Sequence, residues 1–589
     1  MKISRYIKLE WAASAYSISY SAAVVSLSIL ARSCAAFGIS ACAACAGLSP
    51  ASPAAPARAP AVFYTVTGEI ALSRHEARVA ALQYAAAAET ARDEVLLARA
   101  TEVTADCLQP SLTWTVAGRW MTVAPASVDA HRAAGKAALE LHDIEHSALQ
   151  YRSVLTSSPR GTATEFQALE SDLMAVDNIY GARQLADRLA QYFPDSLPAL
   201  RLQAFTALRA DDPAAAVHSF QAALAKEAGP PEAADRRDLT LGLWRARVLS
   251  GDAEEPLASA KAAMDRDPTP SNRLEYAVLL MAAQNIADAR SQLHLLTLDP
   301  ESKPAALRLL GLLDMQDGNL TDASVHFAEL ATTGQFLDDS LYYLGQIAER
   351  HEDLERALRL YSQVQSGDNA VAALLRAASI LRSHGAAPAA EELLDQLVDE
   401  EPKRAPELLV ARARIYSTAG DVPQAAAVLE QAQLEYPDSV EVRYAMATMS
   451  EDQGKVADAL RELKAIAASR PADPAALNAY GYTLADNNRQ LRVARRLIEQ
   501  AYAATPKNAA ILDSLGWVLF RQGHGEQALP YLNEAYADEH DGDIAAHLGE
   551  VLWRLGRRSD AERIWSEASR ADSDNPLLKS TQLRLRPAN

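Results

Sequence analysis

An alanine returns about every 34 positions along most of this chain, and that spacing dictates what the chain can fold into. Ala148, Ala182, Ala216, Ala289, Ala323, Ala357, Ala390, Ala425, Ala459, Ala494, Ala528 and Ala561 form the ladder. Its steps are 33 to 35 residues, except 216 to 289, whose 73 is about two periods. Self-similarity at this spacing marks stacked supersecondary units, each unable to shield its own apolar face without neighbours. Length then loses its usual meaning: 589 residues would suggest about four domains, whereas a stack is one continuous body.

Other positions keep step with the alanine. Four residues later stands a bulkier side chain: Phe220, Phe327, Tyr361, Leu394, Leu429, Leu463, Ile498, Leu532 or Trp565. Seven residues later the side chain is small again, as at Ala223, Ala432, Ala501, Ala535 and Ala568. These offsets share one face of an α-helix, helix B of a hairpin. Twelve residues before the ladder comes Gly311, Gly345, Ala378, Ala413, Ala447, Gly516 or Gly549, on helix A, where a small side chain lets the two helices approach closely. Proline follows many units, at 125, 159, 194, 268, 300, 402, 437, 471 and 506. It lacks an N–H donor and pushes the preceding residue out of the helical region, so each helix B stops there.

The residues at these offsets resemble the tetratricopeptide-repeat consensus. The stretch "AILDSLGWVLFRQGHGEQALPYLNEAYA" carries Leu512, Leu515, Gly516, Leu519, Ala528, Leu532 and Ala535 at the family's positions. The resemblance implies an all-α fold, a right-handed superhelical α-solenoid of about 13 to 15 helix hairpins. Clear repeats are expected over 301–573 and divergent ones over 126–300, with a degenerate unit at 231–268 where Pro256 takes the ladder position. Residues 62–125 read as irregular hairpins in which Trp114 and Trp120 replace small residues, a capping role, and 574–589 read as a C-terminal tail.

The first 41 residues read as an export signal. Lys2, Arg5 and Lys8 precede an apolar run from Trp11 to Ala31, and Ile39-Ser40-Ala41-Cys42 resembles a bacterial lipobox, in which Cys42 takes the lipid. A Pro/Ala-rich stretch follows, so 42–61 is expected to be a tether. By family analogy, the absence of aspartate after Cys42 points to the periplasmic face of the outer membrane. An uncleaved anchor at 11–31, which would leave the body periplasmic but held at the inner membrane, and a cytosolic chain are the competing readings.

Net charge is −19; losing Lys2, Arg5, Lys8, Arg32 and Glu10 with the signal, a net +3, brings the remainder to about −22. Such a surface opposes nucleic-acid binding, which rests on cationic contacts to phosphate. Cationic clusters at 489–496 and 554–563 read as solvated helix faces. The sharpest enzymatic pattern is His142-Asp143-Ile144-Glu145-His146, an H-x-x-E-H string in which both histidines would ligate zinc with Glu145 as base. The repeat register instead sets it on the turn between helices A and B, with no third ligand in view. Nucleotide-cradling and nucleophile-elbow motifs are absent, and no cofactor or catalytic residue is expected.

Helix A positions opposite helix B are expected to line the concave groove: Asn478 and Tyr482, then Asp513, Trp517, Phe520 and Arg521, then Glu550, Trp553 and Arg554. Aromatics beside arginine are what protein-binding hot spots use, and Arg521 and Arg554, one repeat apart, suit a peptide carboxylate. The alternative is that Trp517, Phe520 and Trp553 pack between hairpins. Two C-terminal stretches, "NAYGYTLADNNRQLRVARRLIEQAYAATPKNAAILDSLGWVLFRQG" and "AAHLGEVLWRLGRRSDAERIW", resemble proteobacterial tetratricopeptide lipoproteins. One member of that group partners a periplasmic carboxy-terminal processing protease and delivers cell-wall hydrolases to it. The resemblance implies an adaptor whose partners are proteins, held to the membrane by a lipid. An assembly factor for an envelope secretion or polysaccharide export complex is the second reading, and a zinc hydrolase using 142–146 the third.

Overall fold

The computed structural model describes residues 60–586 except 228, 231–232, 367 and 572–574. Cys42 and the signal and tether segments up to residue 59 lie outside the described residues. Those described hold 31 α-helices, α1 (Ala61–Ser73) to α31 (Pro576–Leu585), one short 3-10 turn and no strand. Thirty helices follow one another as fifteen hairpins, each touching mainly its neighbours, and α31 closes the C-terminal end. The chain is an α-solenoid, at the upper end of the expected hairpin count.

All twelve ladder alanines fall on the second helix of a hairpin, none more than 1% exposed. The structure explains why they recur with a bulky partner. The side chain four residues on enters a notch left by the small residue on helix A. A Cβ added at Gly345 would stand 2.5 Å from Cε1 of Tyr361, and one at Gly516 2.5 Å from Cγ of Leu532. Gly68 and Tyr84 repeat this pairing in the first hairpin, α1 with α2 (Ala77–Thr90), where Ala80 is the fully buried ladder residue. Residues 61–90 are thus a regular unit, which a ladder begun at Ala148 does not reveal.

A second periodicity lies in the backbone. The turn between helices A and B carries a left-handed residue in fourteen of the fifteen hairpins, and the turn at 487–490 carries a second, Gln490, just before the next helix. Of the fourteen, seven are glycine (251, 318, 385, 420, 454, 523, 556) and seven are not: His75, Leu108, His142, Asp211, Gln284, Glu352 and Asn488. The exception joins α7 (Thr162–Ala175) to α8 (Ile179–Tyr192), which barely touch each other; α8 packs instead on α6 (Ile144–Ser157) and α9 (Leu197–Arg209). The other irregularity is the degenerate unit. Pro256 is buried in the first turn of α12 (Glu254–Arg266), and α11 (Ala234–Leu249) leans back onto α10 (Pro213–Lys226), where Gly242 receives Phe220 from the preceding hairpin.

The residues drawn as a tail at 574–589 contain a packed helix. Asn575 caps α31 by accepting the Leu578 N–H at 2.8 Å, and Leu578, Thr581 and Leu585 are buried against the last hairpin. A stack needs its last apolar face covered, and α31 does that.

The superhelix also touches itself. Gln109 Nε2 donates to the Glu435 carbonyl at 2.8 Å, the Ser111 N–H to Asp438 Oδ2 at 3.1 Å, and Gln184 Nε2 to the Ala472 carbonyl at 3.2 Å. Lys403 stands 3.9 Å from Asp106. These partners are roughly nine hairpins apart at a period near 34. Hairpins around 106–184 therefore form a seam with those around 403–473. The seam is polar and made largely by loops and helix ends.

Candidate protein-docking surface

The expected groove residues lie on α25 (Pro474–Asp486), α27 (Ala509–Arg521) and α29 (Gly542–Arg554). Each of these helices starts at a side-chain cap. Asp473 accepts the Ala475 N–H at 2.9 Å, Asn508 the Ile511 N–H at 3.1 Å, and Asp541 the Asp543 N–H at 2.7 Å. The caps satisfy donors that a helix start leaves open and so fix where each helix begins.

Asp513 and Trp517 lie inside, 6% and 4% exposed, at the centre of a polar cluster. His547 Nδ1 donates to Asp513 Oδ2 at 2.9 Å, and its ring stacks on Trp517 with centroids 4.1 Å apart. Trp517 Nε1 donates to Asp486 Oδ1 at 3.2 Å, and the Arg521 guanidinium lies 5.4 Å over the Trp517 ring. Burial alone would push the His547 imidazole below its usual range; the Asp513 carboxylate outweighs burial and holds it above. Desolvation likewise pushes the Tyr482 phenol well up. The cluster is a cross-repeat brace, in which a helix A carboxylate is neutralised by a histidine one period further on.

Glu550 is likewise internal. Arg584 on α31 gives it two charge-assisted hydrogen bonds, at 2.8 and 2.6 Å, while Arg554 stands 3.9 Å away. Trp553 lies beside Trp565 at 5.6 Å and beneath Arg558 at 5.0 Å. Of the nine expected groove residues, Asp513, Trp517 and Glu550 are buried; Asn478, Tyr482, Phe520, Arg521 and Trp553 are half-buried; Arg554 is exposed. The structure gathers Tyr482, Asp513, Trp517, Phe520 and Arg521 around His547 and Asp486, and sets Glu550 and Arg554 beside Arg584. His547, Asp486 and Arg584 were not anticipated. Two of them had a signal: His547 follows Asp513, and Arg584 follows Glu550, by one period of 34.

The 142–146 string has a structural place. His142 is the left-handed turn residue, mostly buried, with Nδ1 3.2 Å from Nδ2 of Asn178. Glu145 pairs with Arg188, and His146 Nδ1 lies 2.7 Å from Asp143 Oδ2. The three side chains thus take different partners, and no group of three or more His, Cys, Asp or Glu suited to a metal occurs among the described residues. No helix among them is long and apolar enough to cross a membrane.

Two family models described as tetratricopeptide repeat match the chain, one at 416–481 and 519–585, the other at 483–544. Over 214 residues the chain is 34% identical to a TPR repeat-containing protein of Pseudomonas aeruginosa. That match covers 36% of this chain and 36% of that protein, so it spans about a third of the relative's length. Among solved structures, a thermophilic TPR protein from Thermus thermophilus aligns at 21% identity and TM-score 0.28, covering 31% of this chain and 98% of its own. Yeast Tom70 aligns at 13% identity and TM-score 0.36, covering 89% and 99%.

Proposed function

Because the chain carries tetratricopeptide repeats, we propose that it is a non-catalytic scaffold that holds other proteins together. The reading rests chiefly on the unbroken run of fifteen hairpins and its cap, which offers a long surface with half-buried aromatics and arginines along helix A. Its finer form is a lipid-tethered adaptor on the periplasmic face of the outer membrane. There it brings a carboxy-terminal processing protease to its cell-wall hydrolase substrates. What supports that form is the lipobox-like Ile39-Ser40-Ala41-Cys42, the Pro/Ala-rich tether after it and the C-terminal resemblance. The mechanism is effective concentration: two partners held on one rigid body meet far more often than free ones.

The test is affinity capture with the full-length chain from envelope extracts, followed by a cleavage assay. Capture of a serine protease, with faster cleavage of a wall hydrolase when the chain is added, is the expected outcome. Co-purification with an outer-membrane pore and no protease would move the assignment to an assembly factor. Failure to capture any protein would end the scaffold reading. Cys42→Ala should release the chain from the membrane; unchanged membrane attachment would end the lipid-anchor proposal.

A further inference from the structure

Outside the helix A face, the last repeats contain a concavity in which positive charge converges. A cleft of about 620 Å³ opens between α26 (Leu491–Ala504), the end of α27 and the start of α28 (Gly525–Asp538). Arg492, Arg495, Arg496, Arg521 and His524 line it, with Glu499 its one carboxylate. The register explains the convergence. Ala494, Ile498 and Ala501 are the buried stripe of α26, which leaves 492, 495, 496 and 499 on the remaining face, about one turn apart. Gln522 joins the two hairpins by donating to the Leu491 carbonyl at 3.0 Å, so the floor is fixed.

The four guanidiniums are not equally committed. Arg495 donates to Glu499 at 2.7 Å, and Arg521 stands 3.9 Å from Asp486. Arg492 and Arg496 are exposed and form no ion pair with the described residues. Two helix starts open on the same cleft, α26 after Gln490 and α28 after His524, and neither has a side-chain cap on its first-turn N–H groups. Those donors add partial positive charge. In a chain of net charge −19, this concavity attracts anions while the rest of the surface turns extended polyanions away.

We propose that this cleft binds a short acidic segment of a partner polypeptide, its carboxylates pairing with Arg492 and Arg496. Guanidinium and carboxylate match as planar forks. The volume, within the usual range of about 300–1,000 Å³ for ligand pockets, suits a few side chains rather than a long polymer. The proposal rests on the docking reading above and adds a helix B contact to it.

The experiment titrates the full-length chain into a fluorescently labelled oligoglutamate peptide, followed by anisotropy, with oligoglutamine of equal length as control. Saturable binding of oligoglutamate alone is expected, weakening as salt rises. Arg492→Glu with Arg496→Glu should lower the affinity about tenfold or more, since two charge-assisted contacts are reversed. Both side chains are exposed, and an unchanged thermal midpoint checks that the variant folds. Equal affinity for the two peptides, or an unchanged affinity in the double variant, overturns the proposal. So does displacement of the peptide by millimolar inorganic phosphate, or tighter binding of an oligonucleotide. A chain that still captures envelope proteins while ignoring oligoglutamate refutes the cleft alone; one that captures nothing refutes the docking reading.

Discussion

Replacing Gly516 by alanine isolates the packing rule that builds the regular units. In an exposed helix interior, glycine to alanine gains about 1 kcal/mol from propensity. Here the new Cβ would stand 2.5 Å from Cγ and 2.9 Å from Cδ2 of Leu532, which is fully buried. Carbon contacts settle near about 3.5–4.0 Å, so Leu532 must retreat by about 1 Å into a filled core. Overpacking of that kind costs about 1–3 kcal/mol, and G516A should be net destabilising by about 1 kcal/mol. Leu532→Ala should cost about 2–5 kcal/mol by itself. In that background those two contacts are gone, and Ala528 O remains at 3.2 Å. There, G516A should become stabilising. Urea unfolding of the four proteins, followed by hydrogen exchange of 509–538, measures both effects and the coupling between them. A stabilising G516A in the parent chain, or the same sign in both backgrounds, would refute the reasoning.

Other outcomes follow from the same contacts. His547 is held above the ordinary imidazole range by Asp513, so its stabilisation is complete below about pH 6.5 and fades as pH rises through the folded value. The thermal midpoint of the C-terminal repeats should therefore fall toward alkaline pH, and His547→Gln should flatten that slope; an unaltered slope would remove the pairing. Gln284 occupies the left-handed turn position and is exposed, so Gln284→Gly should raise stability by about 0.5–1 kcal/mol in a thermal-shift assay. Arg584→Ala leaves Glu550 buried without its two donors and should cost about 1–3 kcal/mol, read as faster amide exchange in 542–571. Unchanged exchange would show that α31 is not the cap described.

The repeat was legible because its rule is local. Most of the ladder from Ala148 to Ala561 reports one physical need, a notch for the bulky residue of the neighbouring helix, which recurs at the regular hairpins but not where α7 meets α8 or in the unit of Pro256. Hairpins were expected over 62–125, but the regularity of the first was not, because Ala80, its ladder residue, lies two periods upstream of Ala148. Pro256 did mark the place where the register slips. The helix placement of the nine expected groove residues was legible, their exposure less so. Trp517 and Asp513 sit where the helix A register puts them, yet their partners come from the repeats on either side, Asp486 before and His547 after, so they brace neighbouring hairpins. Pairs one period apart, such as Asp513 with His547 and Glu550 with Arg584, carried that information. The seam was invisible, because Gln109 and Glu435 lie 326 residues apart and no pattern links them.

The claim on which the rest depends is that the stack is one rigid body coiled far enough to touch itself. Spin labels at Ser111→Cys and Asp438→Cys in the full-length chain, read by pulsed dipolar spectroscopy, test it directly. The account expects one short, narrow distance, since the Ser111 N–H lies 3.1 Å from Asp438 Oδ2. A long or broad distribution, unchanged with temperature and salt, would mean that the hairpins do not coil into the body described.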